Sequence, residues 1–194
     1  GYLPMDVTTA FGSFASLQVG DVDGDGDEDL VAFEIAAGTG SARVMENVAG
    51  SLVAGPLQTN LGGLPYFRDI PLADWDNDGD DDVIYVNRTP SFNPSNLVYF
   101  LETTGTNLDV AAFFYVPGQS PLLGIGGIED LNGDGFLDVA AGNTIFLGRG
   151  VFEGVPQSYI TSGCCGGARL AEDLDGDGDV DLWPGSGSAW FNDG

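Results

Sequence analysis

The residues with chemistry to offer lie in four short windows. They read Asp21-Val-Asp-Gly-Asp-Gly-Asp-Glu-Asp29, Asp74-Trp-Asp-Asn-Asp-Gly-Asp-Asp-Asp82, Asp130-Leu-Asn-Gly-Asp-Gly-Phe-Leu-Asp138 and Asp173-Leu-Asp-Gly-Asp-Gly-Asp-Val-Asp181. Of the 23 Asp in the chain, 19 fall in these windows, so the acid is placed and not scattered over a surface. Each window carries an oxygen-bearing side chain at its first, third, fifth and ninth places and Gly at its sixth, where a sharp turn needs a residue without Cβ. Hard oxygens in this number suit calcium, which takes 6–8 of them at about 2.3–2.6 Å. The expected side-chain ligands are Asp21, Asp23, Asp25 and Asp29; Asp74, Asp76, Asp78 and Asp82; Asp130, Asn132, Asp134 and Asp138; and Asp173, Asp175, Asp177 and Asp181. The seventh residues Asp27, Asp80, Phe136 and Asp179 are expected to present backbone carbonyls, a role that explains how a Phe is tolerated there.

The spacing therefore predicts about four Ca²⁺ ions, which would reduce the net charge from −25 to −17. Crowding four carboxylates together without a cation costs repulsion and desolvation, and this sequence does so repeatedly. A helical calcium hand carries a bidentate Glu at its twelfth place. Here the twelfth places are Ala32, Tyr85, Ala141 and Pro184, so that motif is excluded. Magnesium demands a stricter octahedron and usually keeps several waters, which fits these ligand-rich loops less well.

The elements that must position these loops repeat with them. The loops start at residues 21, 74, 130 and 173, giving a repeat of about 50 residues, the size of a four-stranded propeller blade. After each loop comes an apolar run: Leu30–Phe33, Val83–Val86, Val139–Ala141 and Leu182–Trp183. These runs are apolar at consecutive places, the pattern of a short strand covered on both faces. A second run follows at Arg43–Met45, Leu97–Leu101, Thr144–Leu147 and Ala189–Phe191. A third follows at Ser51–Ala54, Val110–Val116 and from Val151-Phe152 toward Ile160, and the fourth leads into a loop, as in Phe14–Val19, Tyr66–Leu72 and Leu122–Ile128. Gly, Pro, Asn and Ser punctuate the joins, and no segment has a sustained 3.6-residue period. The expectation is a single all-β domain over 1–194, a β-propeller of four-stranded antiparallel blades.

The fourth repeat lacks a third run, whereas the N-terminal segment Gly1–Thr9 is strand-like and unassigned. That segment is expected to complete the last blade, either in the same chain or in a neighbouring copy. The cysteines Cys164 and Cys165 are adjacent, which leaves a vicinal disulfide and two separate thiols both open.

Thirty acidic residues against five Arg, with no His, argue against nucleic acid or an anionic membrane surface as partner. No stretch approaches the roughly 20 apolar residues of a membrane span. Without His or Lys, and without a Ser-centred elbow, the chain has few groups for proton transfer or nucleophilic attack, so no enzyme is expected. Trp183, Trp190, Tyr99 and Tyr115 are candidates for stacking on a sugar, set against a plainer role in strand packing, and Trp75 reads as core. Asn87-Arg88-Thr89 is a possible N-glycosylation acceptor.

The loops and the strands after them resemble the FG-GAP and VCBS class of calcium-binding repeats, found in integrin α-subunit propellers and bacterial surface proteins. The resemblance covers essentially the whole chain. It implies a propeller with the ion loop joining the first two strands of each blade, and a role in binding a protein or glycan, or copies of itself. An extracellular or cell-surface location, with any signal already removed, goes with it. Such propellers usually have seven blades, and the Phe-Gly and Gly-Ala-Pro signatures are mostly missing here. A four-bladed ring, part of a larger ring and a ring completed between chains all fit the repeat count.

Overall fold

The computed structural model describes residues 14–36, 39–59, 61, 70–88, 96–116, 124–142, 144–152, 157–159, 170–183 and 189–192. Among them there is no helix, and every sheet is antiparallel. The first sheet runs β1 (Phe14–Gly20), β2 (Asp29–Ala36), β3 (Thr39–Val48) and β4 (Ser51–Ala54) in spatial order, with β5 (Gln58–Thr59) also pairing β3. The second runs β6 (Leu72–Ala73), β7 (Asp82–Arg88), β8 (Asn96–Thr104) and β9 (Asn107–Val116). The third runs β10 (Ile125–Glu129), β11 (Asp138–Ala141), β12 (Thr144–Phe146) and β13 (Gln157–Tyr159), and the fourth pairs β14 (Leu170–Glu172) with β15 (Asp181–Trp183). Each acidic loop joins the first two strands of its sheet.

The consecutive apolar runs are explained by how the sheets stack. In a strand, neighbouring side chains point to opposite faces. Val83 and Tyr85 of β7, with their cross-strand partners Leu101 and Tyr99, pack against Val31, Phe33, Ala42 and Val44 of the first sheet. Ile84 and Val86, with Phe100 and Val98, face the other way, against Val139, Ala141 and Phe146 of the third. Ala140 in turn meets Ala171 and Leu182 of the fourth sheet. The second loop residues follow the same rule: Val22 joins the first core, Trp75 the second and Leu131 the edge of the third, whereas Leu174 is exposed.

Phe100 is the hub of the second core. Its ring centroid lies 4.7 Å from that of Trp75, 5.7 Å from Phe114 and 6.1 Å from Phe146. The only polar atom that buried Tyr85 brings to the first core, its hydroxyl, donates to the carbonyl of Leu61. Tyr99 stacks between Tyr85 and Phe113, at 5.1 and 5.5 Å, so this aromatic serves the packing. Tyr115 and Trp183 are exposed.

Two expected strands are shorter than the sequence pattern suggests. Val151 and Phe152 lie in a bend, because Gly150 has φ 65° and turns the chain out of the extended line; β13 begins at Gln157. The Ala189–Phe191 run makes a single bridge, Leu182 to Trp190, beyond which Asn192 gives its N–H to the Asp181 side chain. The Gly1–Thr9 segment, Cys164, Cys165 and Thr89 of the glycosylation triplet lie outside the described residues.

Truncating Phe100 to Ala should cost about 3–5 kcal/mol in denaturant unfolding, the usual range for a fully buried Phe. Tyr115→Ala, at an exposed place on β9, should stay within about 1 kcal/mol. Equal effects would contradict the packing described.

Candidate metal centres

The first three loops share one set of local hydrogen bonds, and the fourth a close variant of it. The two oxygens of the first Asp accept successive backbone N–H groups across the turn: Asp21 from Asp25 and Gly26 (3.1 and 2.9 Å), Asp74 from Asp78 and Gly79 (3.1 and 3.2 Å), Asp130 from Asp134 and Gly135 (3.1 and 2.8 Å). In the fourth loop Asp173 takes Gly176 and Gly178. The fifth residue, in turn, accepts from the seventh: Asp25 from Asp27, Asp78 from Asp80, Asp134 from Phe136 and Asp177 from Asp179. Short Asp side chains bond readily to the backbone two residues on, which is why Asp and not Glu is used. The turn also needs left-handed backbone twice. The sixth residues are Gly, and the fourth are Gly24, Gly133, Gly176 and Asn77, the last at φ 60°. Asn is one of the few side chains that tolerate this region.

The ninth Asp differs from the rest because it is buried. Asp29, Asp82, Asp138 and Asp181 are at most 2% exposed. One oxygen of each accepts the N–H of the second loop residue: Val22, Trp75, Leu131 and Leu174, at 2.9–3.3 Å. The other accepts an N–H from the sheet's next segment: Asn47, Thr103, Gly148 and Asn192, at 2.7–3.1 Å. This residue closes the loop and pins it to the sheet. Its partners were not legible in the loop motif, since they lie 10 to 21 residues further along.

In three of the four loops a trio of carboxylates comes together; the third loop forms no such trio among the described residues, and Asp25, Asp82 and Asp177 stand outside the trios of their loops. One oxygen from each of Asp21, Asp23 and Asp29 lies within 4.8 Å of the others, and the same holds for Asp173, Asp175 and Asp181. In the second loop the converging trio is Asp74, Asp76 and Asp78. In the third, Asn132 Oδ1 accepts from Asp134 N–H at 2.9 Å while its amide donates to Asp134 Oδ2 at 3.1 Å, so the side chain is oriented by its neighbour. A further observation favours a cation: Asp76 Oδ1 is buried without a hydrogen-bond partner. A buried carboxylate oxygen left bare is costly, and an all-oxygen set around it fits a hard divalent ion.

The charges are correspondingly uncomfortable without an ion. Burial pushes the Asp82 carboxyl up to about 8, against the N–H bonds from Thr103 and Trp75, and nearby Asp76 and Asp80 push the same way as burial. Asp80 is pushed up to about 6, chiefly by burial, although the Thr103 hydroxyl donates to it at 2.7 Å. That hydrogen bond gives the seventh side chain of the second loop a role beyond the expected carbonyl. Burial likewise raises Asp23, Asp76 and Asp138.

Set beside known proteins, the chain matches no family model and no curated protein. The likeness to calcium-binding repeats therefore rests on the loops and the strands that follow them.

Two outcomes follow from this geometry. Asp138→Ala should destabilise the protein by about 3 kcal/mol even in chelator, because it strands two N–H groups at about 1–3 kcal/mol each. Asp25→Ala, at an exposed place, should cost within about 1 kcal/mol in chelator and show its main effect only when calcium is added. The second outcome concerns pH. A carboxyl raised from 3.8 to about 8 on folding is bound to more protons in the folded chain between those values. With divalent ions chelated, stability measured by urea unfolding should therefore fall as pH rises from about 4 to about 8, and saturating calcium should remove that fall.

Proposed function

We propose that this chain is a non-enzymatic, calcium-binding β-propeller module of the extracellular space or cell surface, whose ions hold the repeats in shape for adhesion or assembly. The observation that carries this reading is that four Asp-rich loops are each closed by a buried ninth Asp onto their own sheet. Bound calcium would supply positive charge at the point where the carboxylates converge. The chain's residues do the rest: the first Asp shapes the turn, the third and fifth contribute oxygens, and the ninth transmits the loop's position to the strands. The propeller reading is supported by the sequential antiparallel order of the first three sheets and by the repeated face-to-face stacking between successive sheets.

Calcium in this role is architectural, and its removal should be felt by the whole fold. At about 100 times its Kd, one site contributes ~2.7 kcal/mol. For a chain of this size ~1 kcal/mol moves Tm by about 2–4 °C. Chelation should thus lower Tm by more than about ten degrees, and equimolar magnesium should restore little of the loss. A melt that chelator leaves unchanged would sink the proposal.

Self-association is favoured as the use of the module by a second observation. Leu17 and Val19 are exposed on the first sheet, as are Trp183 and Phe191 at the other end of the stack. In the interior of the stack, the equivalent faces are covered by a neighbouring sheet. The alternative uses are binding of a protein or glycan ligand, and strand donation by Gly1–Thr9 between subunits of a filament. Light scattering with and without calcium separates these: a mass that stays at 20.1 kDa would shift the weight to ligand binding.

A further inference from the structure

We propose that the first two loops bind calcium as a coupled pair, in which Asp81 is the positioning residue that lets occupancy of the second loop raise the affinity of the first. This rests on the calcium reading above and adds to it a coupling between two of the sites. Asp81 is the eighth residue of the second loop, between Asp80 and Asp82, and it grips the first ligand residue of the loop before it. Its N–H donates to the Asp21 carbonyl at 2.6 Å, and its Oδ2 accepts the Asp21 N–H at 3.2 Å. Both backbone groups of Asp21 are thus held by one residue of the neighbouring loop.

The surroundings are shaped for this clasp. Gly20 is buried directly beside it, and a Cβ there would lie 2.5 Å from Asp81 Oδ2 and 2.8 Å from Leu72 Cδ1. The loops also touch at Gly24, where a Cβ would stand 3.1 Å from the Gly79 carbonyl oxygen. No other junction is made this way among the described residues. The eighth residues of the third and fourth loops, Leu137 and Val180, pack into apolar cores, and Glu28 of the first is exposed.

Ordering of residues 74–82 around an ion fixes both the backbone and the side chain of Asp81, and so fixes Asp21. The first loop then has less to order when its own ion arrives, and by linkage the benefit is mutual. Repulsion between the two ions opposes the effect. It is offset because the two loops carry five and six Asp, so one divalent ion in each leaves the loop net negative.

The test is a calcium titration followed by ¹⁵N NMR. The amides of Gly26, Gly79, Gly135 and Gly178 each donate to the first Asp of their own loop, so they report occupancy site by site. In Asp74→Ala, which cripples the second loop, the Gly26 midpoint should move to about tenfold higher calcium while Gly135 and Gly178 stay put. Asp81→Leu, placing there the residue type that the third loop uses, should weaken Gly26 similarly with every ligand intact. Asp81→Asn, whose amide oxygen can still accept the Asp21 N–H, should retain the coupling. If Asp74→Ala loses its dispersed spectrum, Asp81→Leu alone decides. A Gly26 midpoint unmoved, or moved to lower calcium, in a folded variant overturns the coupling. Silence of all four amides in the unmodified chain overturns the calcium reading instead.

Discussion

The structure depends on a carboxylate that is buried. In every repeat the ninth loop residue is an Asp with both oxygens engaged by backbone N–H groups, one inside the loop and one from the next segment of the sheet. A charge taken out of water is tolerated only where it is hydrogen-bonded or neutralised. Here the hydrogen bonds are present, and on the proposed calcium reading a cation held by the loop would supply the neutralising charge. The same side chain therefore faces two ways, toward its own loop and toward the next segment of the sheet, and ties the loop to that sheet.

From this constraint the rest of the loop can be understood. The first Asp and the left-handed fourth and sixth residues bend the chain so that in the first, second and fourth loops the third side chain comes within 4.8 Å of the first. The second residue, freed from ligand duty, becomes an anchor: Val22 and Trp75 are buried in the cores between sheets. In the first two loops the alternation along the chain is thus one between acidic side chains grouped in the loop and an apolar side chain in the core.

Much of this was legible beforehand. The loop period, the all-β class and the strands beside each loop follow from residue type and spacing, and the consecutive apolar runs signalled strands covered on both faces in the second and third repeats, whereas Trp183 of the fourth run is exposed. The core role of Trp75 was readable because its counterparts are Val22, Leu131 and Leu174. What was not legible depends on residues distant in sequence. Nothing near Asp82 announces Thr103, and nothing near Asp21 announces Asp81. The strand at Val151-Phe152 was misplaced because a single left-handed glycine outweighs local apolar character. At 189–191 a single bridge between Leu182 and Trp190 stands where the apolar pattern suggests a strand.

Adjacent residues of β7 answer to different parts of the molecule. Tyr85 belongs to the core shared with the first sheet and Ile84 to the core shared with the third. Evolutionary drift in one strand is therefore heard in two repeats at once, at alternate letters. A change at Tyr85 must be compensated upstream, among residues such as Phe33 and Val44, and a change at Ile84 downstream, near Val139 and Phe146. Each repeat inherits two sets of neighbours, and its sequence is a compromise between them.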